Sequence, residues 1–597
     1  MTLKPTPFPV PQSDADRAAL KAAFPQAIAL FEKHMNENFV PGLAYGIVLD
    51  GELVASGGMG VQNITNNIAV TPDSVFRIAS MSKSFAAMAL VRLRDAGKVR
   101  FDNPVADYVP ELATLPYPTR DSAPITVREL LTMSSGLPQD DPWADRHLSE
   151  TPAEFSALMK GGLSFSNPPG IRYEYSNLGY GIVGRIVTNV SGMPYQEYVK
   201  RNILQPLGMT SSTYDINDVA PERLAMGYRR ENHQWVIEPP LPDGEFGSMG
   251  GLFTTINDFS RYMILLLSGF PPRDDAEDPK APLRRSSLRE MQQPWRQRFV
   301  TSARATPDQP VQVIGDGYGY GLVAGIDSQM GYYVNHGGGL PGYGTFYCLL
   351  PECGIGIAVF CNLTYMSARA RIFEALTMFN QKKLIKPRVL PPAKALLDAQ
   401  AEITKLYEQW DDSAIEQMTT DSFFIDMPLD KRREEFARLR ASFGQCLSVT
   451  PIEAENALRG RWQMRCRRGQ IEVWITMAAL VPPKVQVLEF KPIKALNDAL
   501  KQTAGQVVAL LDQWDEDQAR RLFARTIKRA ALKAQADALR VQYGKLRLGH
   551  IVESDGSTYA LVRLNGQRES IDLKLTLKNG KVSQISFTRP RETNFVP

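Results

Sequence analysis

Cysteine and histidine are scarce in this chain, with five of each among 597 residues. Five is an odd number for a disulfide framework, and no pair stands at the spacing of a structural zinc site. Cys348, Cys353 and Cys361 fall within one expected hairpin, and with Cys446 and Cys466 they read as small core residues rather than bridges or ligands. His34, His147, His233 and His550 are assigned no role. Charge of one sign is lacking too: 68 basic against 64 acidic residues give +4, too slight and too mixed for nucleic acid or an anionic membrane. No apolar run, the stretch Met263–Leu267 included, approaches the roughly 20 residues that span a bilayer. The start, Met1-Thr2-Leu3-Lys4-Pro5-Thr6-Pro7-Phe8-Pro9 with Asp14 and Asp16 close behind, has no apolar stretch of signal-peptide length. There is no Walker-type loop and no HExxH. The expectation is a soluble, cytoplasmic protein without cofactor or metal, and without nucleic acid or membrane as partner.

What is present is ordinary globular composition, 44% hydrophobic and 22% charged, in a chain long enough for two to four domains. Lys386-Pro387-Arg388-Val389-Leu390-Pro391-Pro392 reads as a linker, because so many prolines can neither continue a helix nor sit in a central strand. Before it, helical patterns at Asp16–Asn38 and Met81–Ala96 accompany strand patterns at Leu43–Leu49 and Glu52–Gly58, joined by Asp50-Gly51, a strong hairpin signal. Two further strands are expected at Tyr343–Leu350 and Ile355–Asn362. Strands at both ends with helices between predict one mixed α/β domain, residues 1–386, whose ends meet in a single antiparallel sheet.

After the linker the sequence repeats itself. Glu408-Gln409-Trp410-Asp411 recurs as Asp512-Gln513-Trp514-Asp515, and Leu439-Arg440-Ala441-Ser442-Phe443-Gly444 as Leu539-Arg540-Val541-Gln542-Tyr543-Gly544. Each copy reads as helices followed by strands. Two small duplicated α+β domains are therefore expected, 387–492 and 493–597, a pattern that resembles cone-shaped folds of the cystatin or nuclear transport factor 2 kind. Neither carries an evident catalytic group. They are expected to shape the entrance to a site elsewhere or to mediate self-association, so a homo-oligomer is left open.

The chemistry begins at Ser80-Met81-Ser82-Lys83. A serine opening a helix has a lysine one turn along on the same face, and the helix start adds unpaired N–H groups and a positive dipole end. To take a proton the lysine must be neutral, and moving its pKa from about 10.4 to near 7 costs about 4 kcal/mol, which requires burial or a neighbouring cation. Phe76, Ile78, Phe85, Ala86, Ala87 and Met88 offer that burial. Alone the spacing means little, since about two Ser-x-x-Lys matches arise by chance in a chain of this size. Two more segments stand with it: Tyr173-Glu174-Tyr175-Ser176-Asn177 after Pro168-Pro169-Gly170, and Val334-Asn335-His336-Gly337-Gly338-Gly339.

At these places the chain resembles the serine β-lactamase and penicillin-binding-protein superfamily, on the branch of class C β-lactamases, D-aminopeptidases and family VIII esterases. Ile125–Pro138, Gly250-Gly251-Leu252-Phe253-Thr254-Thr255 and Tyr318-Gly319-Tyr320-Gly321-Leu322 extend the likeness over residues 20–380. The resemblance implies an antiparallel sheet flanked by helices plus an all-helical subdomain. It implies Ser80 as nucleophile, Lys83 and Tyr175 as the proton-shuttling pair with the phenol lowered by a nearby cation, and Asn177 holding Lys83 or a substrate amide. Backbone N–H groups of Ser80 and Gly339 would form the oxyanion hole, with Gly338 beside them. Where relatives place Lys-Thr-Gly this chain has His336-Gly337-Gly338. A histidine largely neutral at pH 7 would hydrogen-bond the Tyr175 hydroxyl rather than hold a substrate carboxylate. The implied activity is hydrolysis of an amide or ester in a small molecule or short peptide, as in D-aminopeptidases, with carboxylesterase or acyltransferase chemistry through the same acyl-enzyme as the alternative. β-Lactamase activity and an inactive scaffold follow behind. Met133, where many relatives carry histidine, has no functional account at this level.

Overall fold

The computed structural model describes residues 13–273, 275–303, 311–388, 392–567, 570–588 and 590. The proline-rich start Met1–Pro9 and Val389–Pro391 of the expected linker lie outside the described residues. Residues 1–388 and 389–597 form two compact units.

A nine-stranded antiparallel sheet organises the first unit. In chain order its strands are β1 (Gly42–Leu49), β2 (Glu52–Asn63), β3 (Ile68–Ala69), β4 (Arg296–Ala303), β5 (Gln312–Tyr318), β6 (Val323–Asp327), β7 (Gly331–Leu340), β8 (Tyr343–Leu350) and β9 (Ile355–Cys361). Their order across the sheet is β3-β2-β1-β9-β8-β7-β6-β5-β4. The β1–β2 turn is the Asp-Gly pair, with φ of 51° at Asp50 and 82° at Gly51, the doubly left-handed geometry that matches strand twist. The two ends of the domain meet where β1 pairs with β9, Leu43 opposite Cys361 through Leu49 opposite Ile355.

Both faces of this sheet are covered, and alternation along each strand divides the side chains between two cores. Leu43, Ile47, Ile357 and Val359 pack with the helices α1 (Asp14–Glu37) and α4 (Arg369–Gln381). Ala44, Val48, Ala358 and Phe360 face the helical layer that contains α2 (Lys83–Asp95) and α3 (Asn177–Ser191). Cys348, Cys353 and Cys361 are buried free thiols of the first of these cores. Every residue of α2 from Lys83 to Val91 is buried, as expected of a helix apolar on all sides. The Tyr318–Leu322 stretch reaches the start of α2 closely: Gly321 has φ 74°, and a Cβ there would lie 2.6 Å from the Lys83 carbonyl oxygen. Among the described residues no helix is long and apolar enough to cross a membrane.

The second unit contains the repeated pattern twice. Helices Lys394–Glu408, Asp412–Met418 and Leu429–Phe443 precede a five-stranded sheet, and helices Asp498–Asp512, Glu516–Leu522 and Arg529–Tyr543 precede a four-stranded one. Each has its own core. The recurring residues do recurring work. Asp411 and Asp515 cap the second helix, accepting from Ala414 N and Gln518 N, and Gly444 and Gly544 end the third at φ 76° and 72°, a backbone region glycine enters freely. Trp410 and Trp514 donate to the acid two positions on, Asp412 and Glu516.

Candidate active site

Ser80 does not sit in the α-helix proper. Ala79–Ser82 is a single 3₁₀ turn that leads into α2, and in such a turn residues i and i+3 eclipse. Ser80 and Lys83 are therefore stacked. Ala79 carries φ 51°, a strained value for a residue with a Cβ, and neighbours hold it there. Ile78 N donates to Leu252 O at 2.9 Å, Leu252 N donates to Ser82 Oγ at 3.1 Å, and Thr345 Oγ1 donates to Ile78 O at 2.9 Å. The Gly250–Thr255 stretch thus supports the serine turn from one side and β8 from the other.

Lys83 is fully buried. Its Nζ lies 2.9 Å from Ser80 Oγ, 2.6 Å from Asn177 Oδ1 and 2.8 Å from Met249 O. Burial lowers its pKa to about 8, against the opposing pull of Asp141, Asp145 and Asp140. The three contacts satisfy both protonation states. An ammonium donates to all three oxygens. A neutral amine donates twice and accepts once, and of the three partners only Ser80 has a proton to give, since the other two are carbonyl oxygens. Loss of a proton from Lys83 therefore turns the Ser80 hydroxyl toward the amine.

Asn177, the first residue of α3, is oriented by a carboxylate: its Nδ2 donates to Asp141 Oδ1 at 2.8 Å, which turns Oδ1 toward Lys83. Asp140 takes the free N–H groups of Asn177 and Leu178 at 2.7 and 2.8 Å, and Ser176 Oγ caps Gly179 N at 3.2 Å. Asp145, raised by burial to about 6, accepts from the Tyr365 hydroxyl at 2.6 Å. Sequence reasoning missed this acidic group. The available signal was an Asp140-Asp141 pair directly after the Ile125–Pro138 stretch. Met133 finds a structural use: at φ 56° it turns its sulfur to accept Ser176 N at 3.3 Å, while its carbonyl accepts Glu174 N at 2.8 Å. It shapes the approach to Tyr175.

Two expectations are corrected. The Tyr175 ring lies 4.9 Å from Lys83 Nζ, yet its phenol is not lowered. Burial pushes it well above the ordinary value, and a hydrogen bond with Ser80 only partly offsets this. His336 does not pair with Tyr175. Its Nε2 lies 2.8 Å from the Tyr318 hydroxyl and its Nδ1 lies 2.6 Å from Gly337 O. A carbonyl can only accept, so Nδ1 carries the proton and Nε2 accepts from Tyr318. Burial, helped by Lys83, drives the His336 pKa down to about 3. It is a neutral imidazole.

The pairing of β7 with β6 ends at Asn335 opposite Val323, so the segment from His336 to Leu340 runs on past its neighbour. Gly338 is pressed against the serine turn: a Cβ would lie 2.1 Å from Ile78 O. At Gly339 a Cβ would lie 2.7 Å from the Tyr365 ring. The cleft there, about 610 Å³, is lined by Ser80, Tyr175, His336 and Gly337–Gly339, with Asp141, Arg298 and Arg369 adding charge of both signs. Ser80, Lys83, Tyr175, Asn177, His336, Gly338 and Gly339 thus converge on one place.

The family model described as Beta-lactamase matches residues 27–377, more than half of the chain. Among curated proteins, Protein flp of Staphylococcus aureus (strain MRSA252) is 25% identical over 341 residues, 57% of this chain and 62% of that protein. Beta-lactamase-like protein 2 of Dictyostelium discoideum is 31% identical over 276 residues, 45% of this chain and 49% of that protein. The matches span less than two thirds of these relatives' length. Among solved structures, the octameric penicillin-binding protein homologue from Pyrococcus abyssi aligns over 95% of this chain and 98% of its own, at 20% identity and TM-score 0.49. A penicillin-binding protein from Bacillus halodurans aligns over 58% of this chain and 99% of its own, at 25% identity and TM-score 0.46.

Proposed function

The chain belongs to the beta-lactamase family of serine hydrolases, and on that premise we propose that it cleaves an amide or ester through an acyl-enzyme on Ser80. The observation that carries this reading is Lys83: a buried amine 2.9 Å from Ser80 Oγ, with its pKa lowered by burial to about 8 and one partner able to give it a proton. In the first step the Ser80 oxygen attacks the acyl carbonyl and its proton passes to neutral Lys83. The Tyr175 phenol, held protonated by burial, hands a proton to the departing amine or alcohol and regains one from Lys83. The N–H groups of Ser80 and Gly339 receive the carbonyl oxygen as it gains charge, and a residue other than glycine at 338 would push β7 off the serine turn. Water then attacks the ester by the reverse sequence of proton transfers.

The substrate we propose is a short peptide or peptide-like amide with a D-residue at the scissile bond. Two features favour it. His336 is neutral where relatives hold a permanent cation, which disfavours a carboxylate at that point. The cleft also presents both Asp141 and the guanidinium groups of Arg298 and Arg369, of which Arg298 is already paired with Asp316 at 3.4 Å. Such a surface suits a small zwitterion. An ester would use the same machinery. The two C-terminal copies, in this reading, act on substrate selection or self-association rather than on the chemistry.

The test is a panel of D- and L-aminoacyl p-nitroanilides, p-nitrophenyl esters and nitrocefin, run with wild type and Ser80→Ala, alongside a fluorophosphonate probe. Turnover of D-anilides and labelling at Ser80 are expected. Turnover confined to nitrocefin would overturn the substrate assignment, and equal labelling of Ser80→Ala would overturn the mechanism.

A further inference from the structure

The first C-terminal copy holds two of the five cysteines directly across from one another. Cys446 begins the strand Cys446–Val449 and Cys466 ends the strand Arg459–Cys466, and the two are register partners in the antiparallel ladder. Arg467 N donates to Gln445 O at 3.0 Å, which identifies the cysteines as a non-hydrogen-bonded pair, while Cys446 N is turned to Glu408 Oε1 at 2.6 Å. In such pairs the Cα atoms approach to about 4.5 Å with side chains on one face, within the range that a disulfide spans. Burial raises both thiols, and each thiol also perturbs the other. Cys466 also reaches the Tyr407 hydroxyl at 3.6 Å, and Tyr407 in turn donates to Gly444 O at 2.8 Å. Both are free thiols; Cys466 is buried and Cys446 half-exposed. One hundred positions on, the second copy has Leu546 and Gly566, so the pair belongs to the first copy alone.

We propose that Cys446 and Cys466 form a reversible cross-strand disulfide, with a low-molecular-weight disulfide such as oxidised glutathione as oxidant. The half-exposed Cys446, as thiolate, attacks the oxidant and releases one thiol. The mixed disulfide so formed is attacked by Cys466, which releases the second. Two protein thiols are oxidised, one oxidant disulfide is reduced to two thiols, and the two protons end on those thiols. The bond ties the first strand of the sheet to the third beside Tyr407. Burial holds the Cys446 thiol up at about 11, so the exchange is slow at neutral pH and faster in base.

The test uses the full chain, incubated with oxidised glutathione at mildly alkaline pH, alkylated and weighed intact, then mapped by peptide mass. The expected result is loss of two hydrogens, a cross-linked peptide pair joining 446 to 466, a higher unfolding temperature, and full reversal by dithiothreitol. Cys446→Ser, at the half-exposed position, is expected to show none of these while its unfolding temperature under reducing conditions stays at the wild-type value. No loss of mass, a glutathione adduct that persists on Cys446 beside a free Cys466, or a cross-link through Cys348, Cys353 or Cys361 would overturn the proposal.

Discussion

The two units bury different kinds of side chain. The first places a lysine, an imidazole and several carboxylates inside its core, with Lys83, His336 and Asp145 all buried. Among the described residues, the second unit's buried polar side chains are hydroxyls and one carboxylate, Asp572, which is paired with Arg563, beside the buried thiol of Cys466. Cores built for stability alone avoid ionisable groups, because removing a charge from water is costly unless it is fully partnered. Where a core tolerates a lysine with its pKa pushed down, the cost is tied to chemistry. The contrast is one reason the proposed chemistry is assigned to the first unit.

Substitutions can break that contrast. Ser80→Ala should remove activity by about 10³-fold or more and abolish probe labelling, with unchanged circular dichroism. Lys83→Met, which fills the same space without an amine, should lower the acylation rate by about 10²–10⁴-fold without lowering the unfolding temperature. A variant that stayed active would show the buried lysine to be structural, and the difference between the units would lose its meaning. Asn177→Leu sharpens the point. Losing the amide oxygen 2.6 Å from Nζ removes an acceptor that favours the ammonium, so the ascending limb of kcat/KM against pH should move to lower pH. In the wild type that limb should lie near pH 8. The base works when deprotonated, so the rate rises as pH passes upward through this value, about tenfold between pH 7 and pH 9. A flat profile would exclude Lys83 as the base.

Smaller effects are expected further from the amine. A chain ending at Pro387 should keep Ser80 labelling but change the substrate profile or the oligomeric size. If it were fully active on every substrate at unchanged size, the role proposed for the C-terminal copies would fall. Tyr318→Phe removes the donor to His336 Nε2 and leaves a buried acceptor unpaired, which costs about 1–3 kcal/mol of stability in chemical denaturation, with activity within about tenfold of wild type.

Much of this was legible in the chain. The Asp50-Gly51 hairpin and the doubled Trp-Asp caps rest on local patterns, and the meeting of β1 with β9 on strand patterns standing at both ends of the domain. The Ser80, Tyr175 and His336 segments stood out because three weak motifs occurred together. What was not legible depends on contacts made in space. Two tyrosines could have met His336, and the register of β5 against β6, Tyr318 opposite Val323, decides for Tyr318. The phenol of Tyr175 was expected to be lowered by a cation, but burial, which no spacing reveals, outweighs it. Asp140 and Asp141 act on a helix start some 36 residues later in the chain, and only folding brings them there.

The Ser80–Lys83 contact has a consequence for the resting molecule. With a pKa of about 8, roughly one lysine in ten is uncharged at pH 7. In the other nine the ammonium donates to the Ser80 oxygen at 2.9 Å, and Nζ has no lone pair with which to take the Ser80 proton in the mechanism proposed above. Because the two forms exchange quickly, the reactivity proposed for Ser80 is lowered about tenfold at pH 7 rather than abolished. A rise in pH to 9 would recover that factor.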